Sequence, residues 1–130
     1  MTQASLTELF GEVISVYTRA QAIEDGVLVD VSTTAREAGI TFPVAVTRTV
    51  FDHYITPDPR SIKFGQSVEG RLWDALWMLR NAAKRGGGTI HYNVYFIMKE
   101  RQSRLVQLKA VCGPGDDAEP VITIMLPEED

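Results

Sequence analysis

Residues 16–39 read VYTRAQAIEDGVLVDVSTTAREAG, and they contain two successive units of the same kind. Each unit has an apolar run, then hydroxyl side chains, then an arginine close to a helix start. In the second unit, residues 27–31 are a short β-branched run that predicts a strand. Ser32 is a natural N-cap and Gly39 a natural helix end, so the stretch predicts a strand followed by a short helix.

The first unit has the same order. Residues 13–17 predict a strand, Thr18 an N-cap, residues 19–25 a short helix, and Gly26 its end. A helix start offers unpaired N–H groups and a partial positive charge, so two such starts would suit a phosphate or a carboxylate. A neighbouring arginine could add a bidentate contact.

The sequence therefore predicts an anion-binding site built from the two units, with tyrosines as stacking surfaces. The candidate ligand-binding residues are Tyr17, Thr18, Arg19, Ser32, Thr33, Arg36 and Tyr95. An alternative is purely structural: the hydroxyls only cap helices, and Arg36 pairs with Glu37 or Asp30. Sequence order alone gives no distance between the two arginines.

Length and composition narrow the class of protein. The 130 residues, 45% of them hydrophobic, predict one domain spanning residues 1–130. A net charge of −4 argues against a dedicated nucleic-acid binder. One cysteine excludes an internal disulfide framework and fits a reducing compartment. No signal peptide and no membrane-spanning run is apparent, so we expect a cytoplasmic protein without membrane contact.

The middle of the chain predicts two helices separated by a loop. Val46, Val50 and Tyr54 are spaced by four, which favours a helix over residues 44–55. Two prolines make residues 56–66 irregular. Ser67 caps the strongest helix, over residues 68–85, in which Leu residues form one apolar stripe and two tryptophans a second row. A further capping pattern, at residues 5–8, predicts a helical turn ending near residue 11.

Three strands finish the chain. Residues 89–99 and 104–112 alternate between apolar and polar side chains, and residues 121–126 form the last apolar run. The predicted fold is an α+β domain with a mostly antiparallel sheet and helices packed mainly on one face.

Catalytic and metal sites have little support in the sequence. Asp116, Asp117 and Glu119 cluster in an acidic turn, but two histidines and one cysteine are too few and too far apart for zinc. Cys112 lies on the apolar side of its strand, where cysteine is usually inert. We therefore predict no catalytic residue, no metal and no cofactor. A small hydrolase using His91, Asp116 and Asp117 stays as an alternative.

Three segments carry a resemblance: VISVYTRAQAIEDGVLVDVSTTAREAG, EGRLWDALWM and CGPGDDAEPVITIMLPEED. Together they resemble a family of small uncharacterised proteins carried by plasmids, phages and integrative elements. The resemblance implies a setting and names no catalytic residue. Small proteins on mobile elements often act against host defences, for example by sequestering a signal nucleotide or by blocking a nuclease.

The leading hypothesis is a non-enzymatic binding module that sequesters a phosphorylated small molecule or signalling nucleotide in an anti-defence role. The alternative is a protein-binding inhibitor of a host defence or nuclease complex, acting through the loop at residues 57–63 and through Trp73 and Trp77. The same tryptophan pair could form a homo-oligomer contact.

Overall fold

The fold is an α+β arrangement in which a five-stranded sheet carries helices mainly on one face, as the sequence predicts. The computed structural model describes residues 17–63, 65–83, 88–98 and 102–129. The helical turn predicted to end near residue 11 and most of the strand predicted at residues 13–17 lie outside these ranges.

The elements follow one another in a simple order. They are α1 (Arg19–Glu24), β1 (Leu28–Asp30), α2 (Ser32–Glu37), β2 (Val44–Thr47), α3 (Arg48–Val50), a π-helical turn (Phe51–Ile55), α4 (Pro59–Lys63), α5 (Val68–Ala83), β3 (Thr89–Met98), β4 (Gln102–Pro114) and β5 (Pro120–Met125). The strand order is β1-β2-β5-β4-β3. Every neighbouring pair is antiparallel except β2 and β5, which run parallel.

The long hairpin of β3 and β4 forms because its side chains alternate. Tyr92, Val94 and Phe96 are buried, whereas His91 and Tyr95 are exposed. The pairing runs without a bulge from Thr89 opposite Val111 to Met98 opposite Gln102. A slip of one residue would turn every buried side chain of β3 to the other face, so the alternation fixes the register.

Helix α5 covers this half of the sheet. Leu72, Ala75, Leu76 and Leu79 are at most 5% exposed and belong to the same apolar cluster as the buried side chains of the strands. Burying each leucine contributes about 2 kcal/mol. Ser67 caps the helix, since its Oγ accepts the backbone N–H of Gly70 at 2.9 Å.

The turn chemistry around α1 is as predicted. The Thr18 side chain accepts the N–H of Gln21 in a complete capping box. Gly26 and Gly39 have φ values of +81° and +95°, in the left-handed region where glycine is favoured after a helix.

The prediction that Ser32 caps α2 is wrong. The cap position is Val31, which makes no side-chain cap bond, and Ser32 is the first helical residue. Its hydroxyl donates to Asp30 Oδ1 at 2.6 Å and accepts the backbone N–H of Val44 at 3.0 Å. Ser32 therefore joins the start of α2 to β2.

The helix predicted over residues 44–55 is only half correct. Val44–Thr47 is the strand β2, and Val44, Ala45 and Val46 are all buried there. Helical structure begins at Arg48, where the Thr47 side chain accepts the N–H of Val50. The spacing of four was misleading because two steps of a strand also cover four residues.

The loop predicted over residues 56–66 contains a short helix, so that prediction is also wrong in part. Pro59 is the first residue of α4, a position where the missing proline N–H has no intrahelical partner to lose. Asp58 precedes it and accepts the N–H of Ser61 at 2.7 Å, as an N-cap does.

Candidate functional site

The start of α1, one of the two anion-binding positions predicted from sequence, is filled by a side chain of the protein itself. Asp116 accepts the backbone N–H groups of Arg19 and Ala20 at 2.8 and 3.0 Å. These two hydrogen bonds lower the pKa of the Asp116 carboxyl group. The Arg19 guanidinium donates to Thr123 Oγ1 and to the Ile122 carbonyl, both at 2.7 Å.

Other predicted ligand-binding residues also make internal contacts. The hydroxyl of Tyr17 donates to Asp25 Oδ2 at 2.7 Å, and this bond raises the pKa of the tyrosine. Thr18 is occupied by its capping box, described above. The charge of Asp30 acts on Arg19, and Asp30 also accepts the Ser32 hydroxyl, so this carboxylate would repel an anionic ligand between them.

The remaining predicted residues lie apart from this cluster. Arg36 donates to Thr33 Oγ1 at 3.4 Å within α2, and both side chains are exposed. Tyr95 is 68% exposed on β3, at the opposite edge of the sheet from β1. Four strand spacings separate those edges, which is roughly 19 Å. Ligand binding by these residues stays a prediction, and the structure does not gather them into one site.

A different site opens where the π-helical turn, α4, α5 and the beginning of β4 meet. It is a cleft of about 680 Å³, called the Arg71 cleft below. Its lining residues are Asp52, His53, Thr56, Pro57, Asp58, Ser61, Arg71, Gln102, Ser103 and Arg104. Clefts that bind small molecules typically have volumes of roughly 300–1,000 Å³.

Arg71 is the charged residue at the back of this cleft and is only 2% exposed. Its Nη1 donates to the Tyr54 carbonyl at 3.1 Å and its Nε to Gln66 Oε1 at 3.4 Å. Burial lowers the pKa of the guanidinium, while the nearby charge of Asp58 raises it. Arginine stays protonated under such shifts, so the cleft has a buried cation in its wall.

Ser61 lines the same cleft as this cation. Its side chain is 2% exposed, and its hydroxyl has no hydrogen-bond partner among the residues that the structure describes. The Ser61 backbone N–H lowers the pKa of Asp58. The hydroxyl also favours the charged carboxylate, although its geometry falls short of a hydrogen bond. A buried hydroxyl without a partner is uncommon and marks a position where a ligand could donate or accept.

Arg104 also lines the cleft. Its guanidinium lies over the Tyr54 ring at 5.7 Å, and Tyr54 stacks on Phe96 with ring centres 6.3 Å apart. Within the described part of the chain, the guanidinium makes no hydrogen bond. Arg104 also borders a second, smaller cleft of about 260 Å³. Stacking holds the plane of the cation while leaving its N–H groups available to a ligand.

The charges in the Arg71 cleft favour an anion. Asp52 is paired with Arg48 at 3.3 Å, and Asp58 is held in the charged state first by Ser61 and then by the positive charges of Arg71 and Arg60. Both carboxylates are therefore offset by neighbouring cations. Arg104 keeps its positive charge without an acidic partner among the described residues.

The π-helical turn gives the cleft its shape. It places Asp52 and His53 on the cleft wall and turns the Tyr54 carbonyl towards Arg71. Single π-helical turns occur frequently at functional sites.

Sequence reasoning missed this site, although a signal was present. Arg71 lies three residues after Val68, on the same helix face as Val68, Leu72 and Ala75, and Arg104 has the same parity on β4 as the buried Val106. A charged residue at a core-facing position needs a partner or a function.

The hydrolase residues are not brought together. His91 pairs with Lys109, five residues before Pro114 at the end of β4. At about 3.4 Å per residue, His91 is about 17 Å along the strand from the end that leads to Asp116 and Asp117.

Across the described residues, no cluster of three His, Cys, Asp or Glu side chains could hold a metal ion. Among those same residues, none of the helices has the length and apolar character needed to cross a membrane.

Comparison with known proteins places the chain in a family. Searches of curated proteins and of solved structures found no match. A family model described as a family of unknown function, DUF6573, matches residues 8–130. The match covers nearly the whole chain, including every element that forms the Arg71 cleft. The protein therefore belongs to this family of unknown function, DUF6573.

Proposed function

We propose that this protein is a binding module that holds a phosphorylated small molecule of nucleotide size in the Arg71 cleft and releases it unchanged. One observation carries the proposal: a cleft of about 680 Å³ has the buried cation Arg71 and the ring-stacked cation Arg104 in its walls. Arginine is well suited to phosphate because its planar N–H groups contact two oxygens at once.

The other lining residues support a ligand with both charged and neutral polar parts. Thr56 and Ser103 offer hydroxyl groups, and Gln102 an amide. The buried Ser61 hydroxyl would gain a partner in the complex, which favours a ligand that reaches the back of the cleft. Arg104 would contact the phosphate, and Arg71 would act mainly through its charge, since its N–H groups already bond to the protein.

We further propose that the setting is conflict between a mobile genetic element and its host, with the ligand a signalling nucleotide of the host. This part rests on the resemblance of three segments to proteins carried by plasmids and phages, an argument by analogy. The two arginines that line the cleft support this proposal, since sequestration of a nucleotide would require cations in a cleft of this size.

Calorimetric titration with a panel of mononucleotides and cyclic dinucleotides tests the proposal. We expect one class of nucleotide to bind, and Arg104→Ala to weaken that binding by about tenfold or more, the loss typical of a charged hydrogen bond. Arg104→Lys should restore only part of the affinity, because lysine keeps the charge without the bidentate geometry. Mass spectrometry of the bound nucleotide should show it unconverted.

Arg36→Ala is the matched control. It removes an exposed arginine of the site predicted from sequence, and it should leave binding unchanged. Loss of binding in Arg36→Ala with retention in Arg104→Ala would place the site at α2 instead. Failure of every nucleotide to bind the wild-type protein at millimolar concentration would refute the proposal.

A second candidate function is a protein-binding inhibitor, favoured by the outer side of α5. Trp73 and Trp77 are 38% and 42% exposed and stack with ring centres 6.1 Å apart. Arg80 lies over the Trp77 ring at 5.3 Å. Tryptophan and arginine are enriched in the residues that dominate protein interfaces. Binding of a purified nuclease that is lost in Trp73→Ala and Trp77→Ala, and kept in Arg104→Ala, would support this function.

A further inference from the structure

The free side of β3 presents backbone groups that are directed away from the sheet. The Cys112 N–H donates to the Gly88 carbonyl at 2.8 Å, and the unbulged register continues that pairing along β3. In an antiparallel pair, every second residue bonds to the neighbouring strand. Ile90, Tyr92 and Val94 therefore bond to β4. The N–H and C=O groups of the residues between them, which include His91, Asn93 and Tyr95, point outward.

No hydrogen bond within the described ranges reaches these outward groups, because β3 is the last strand in the sheet order. The opposite edge differs. There, β1 is only three residues long and ends in the charged Asp30. Proteins usually protect an edge strand by making it short, charged, bulged or proline-containing. The ten residues of β3, TIHYNVYFIM, have none of these protections.

We propose that β3 pairs antiparallel with β3 of a second copy of this chain, around a two-fold axis at Asn93. The two five-stranded sheets would then become one sheet of ten strands. Asn93 is the residue with outward-pointing groups that lies nearest the middle of β3, so this axis gives the longest overlap. In this register Asn93 is opposite itself, and His91 of each copy is opposite Tyr95 of the other.

The side chains of β3 fit this self-pairing. The strand contains no Asp, Glu, Lys or Arg, so two copies meet without bringing like charges together, although each chain has a net charge of −4. Tyr95 is 68% exposed and lies on the edge strand itself, so its ring is available to a second copy. The cross-strand contact with His91 would cover part of the Tyr95 ring.

Light scattering of the full chain after gel filtration tests the pairing. We expect a dimer of twice the 14.4 kDa chain mass. Asn93→Pro removes an outward N–H without removing a bond to β4, and Tyr95→Lys places two charges at the interface. Each should raise the dimer dissociation constant by about tenfold or more, since each tenfold step corresponds to about 1.4 kcal/mol. Tyr95→Lys changes an exposed side chain, so it keeps the test valid if the proline variant does not fold.

Two controls separate this edge from other surfaces. Leu105→Lys adds the same charge on the same face but one strand inward, and Trp77→Ala alters the tryptophan pair on α5. Both variants should stay dimeric. A wild-type monomer at all concentrations, or a dimer that is lost only in Trp77→Ala, would overturn the proposal.

Hydrogen exchange provides a signature that depends on alternate residues. On raising the protein concentration, the amides of His91, Asn93 and Tyr95 should become at least tenfold slower to exchange, since each gains a backbone acceptor. Those of Ile90, Tyr92 and Val94 should be slow throughout, because they already bond to β4. Fast exchange of the outward amides at every protein concentration would also overturn the proposal.

Discussion

The backbone N–H of Ser61 donates to Asp58 Oδ1 at 2.7 Å, whereas the Ser61 hydroxyl is buried and has no hydrogen-bond partner among the described residues. The cap at Asp58 thus holds the start of α4 in place and, with it, positions an unsatisfied hydroxyl on the wall of the Arg71 cleft. Burying a hydroxyl without a partner disfavours folding. The hydroxyl helps to keep Asp58 charged but makes no hydrogen bond to it, so it contributes less to stability than a paired hydroxyl would.

Ser61→Ala should therefore separate stability from binding. We expect the free energy of unfolding to stay the same or to rise by up to about 1 kcal/mol, because an unpaired buried hydroxyl is removed. Nucleotide affinity should fall, because the hydroxyl is then missing from the cleft. Urea denaturation and calorimetric titration measure the two effects. A clear loss of stability would show that Ser61 has a partner in the free protein.

Arg71→Met should destabilise the fold. Methionine keeps much of the volume, but the Tyr54 carbonyl loses a charged donor and Gln66 loses its contact. We expect a loss of about 2 kcal/mol in the free energy of unfolding, the scale of a hydrogen bond to a charged group. Arg36→Met changes an exposed arginine and should stay within about 0.5 kcal/mol of wild type. A more stable Arg71→Met variant would show that the fold does not need the buried charge.

Asp116 should make stability depend on pH. Its pKa is lowered in the folded protein by the N–H groups of Arg19 and Ala20. A lowered folded pKa stabilises the protein above the unfolded pKa, and the contribution is lost as pH falls through the folded value. The Tm difference between wild type and Asp116→Asn should therefore be full at pH 7 and shrink below about pH 4. Asp117→Asn, one residue away, is the control and should show no such trend.

Long periodic patterns in the sequence predicted helices and strands correctly, whereas short ones did not. Strict alternation predicted β3 and β4, and an apolar stripe with a cap predicted α5, because both patterns persist over more than two turns or several strand steps. Residues 44–47 were misassigned as helix because Val46 and Val50 fit both periods over so short a window. Thr47, which caps the helix beginning at Arg48, was the local sign of the boundary.

The Arg71 cleft could not be predicted as a site. Arg71 and Arg104 are each conspicuous at core-facing positions, but they lie on a helix and a strand separated in the chain by 33 residues (104 − 71). They line one cleft because of the packing of α5 on the sheet and the position of the π-helical turn at residues 51–55, and neither follows from local periodicity. The capping chemistry at Thr18 was correctly predicted, but its interpretation as a ligand site did not anticipate that Asp116 would bind there.

Gly39 and Gly65 form a pair in which backbone strain and crowding can be measured separately. Both have left-handed φ values, +95° and +89°. A Cβ at Gly39 would lie 2.7 Å from Arg80 Nε, whereas a Cβ at Gly65 would meet no described atom within 4 Å. Gly65→Ala should then reduce the free energy of unfolding by about 1 kcal/mol through φ alone. Gly39→Ala should cost about 0.5–1 kcal/mol more, because Arg80 must move from its position over the partly exposed Trp77.

A double-mutant cycle identifies the cause of that difference. In an Arg80→Ala background the crowding atoms are absent, so Gly39→Ala should cost the same as Gly65→Ala, measured by urea denaturation. Equal costs for the two glycines in the wild-type background would mean that Arg80 moves aside freely. In that case its stacking on Trp77 does not fix the outer side of α5, and the tryptophan pair would be a less rigid surface for a protein partner.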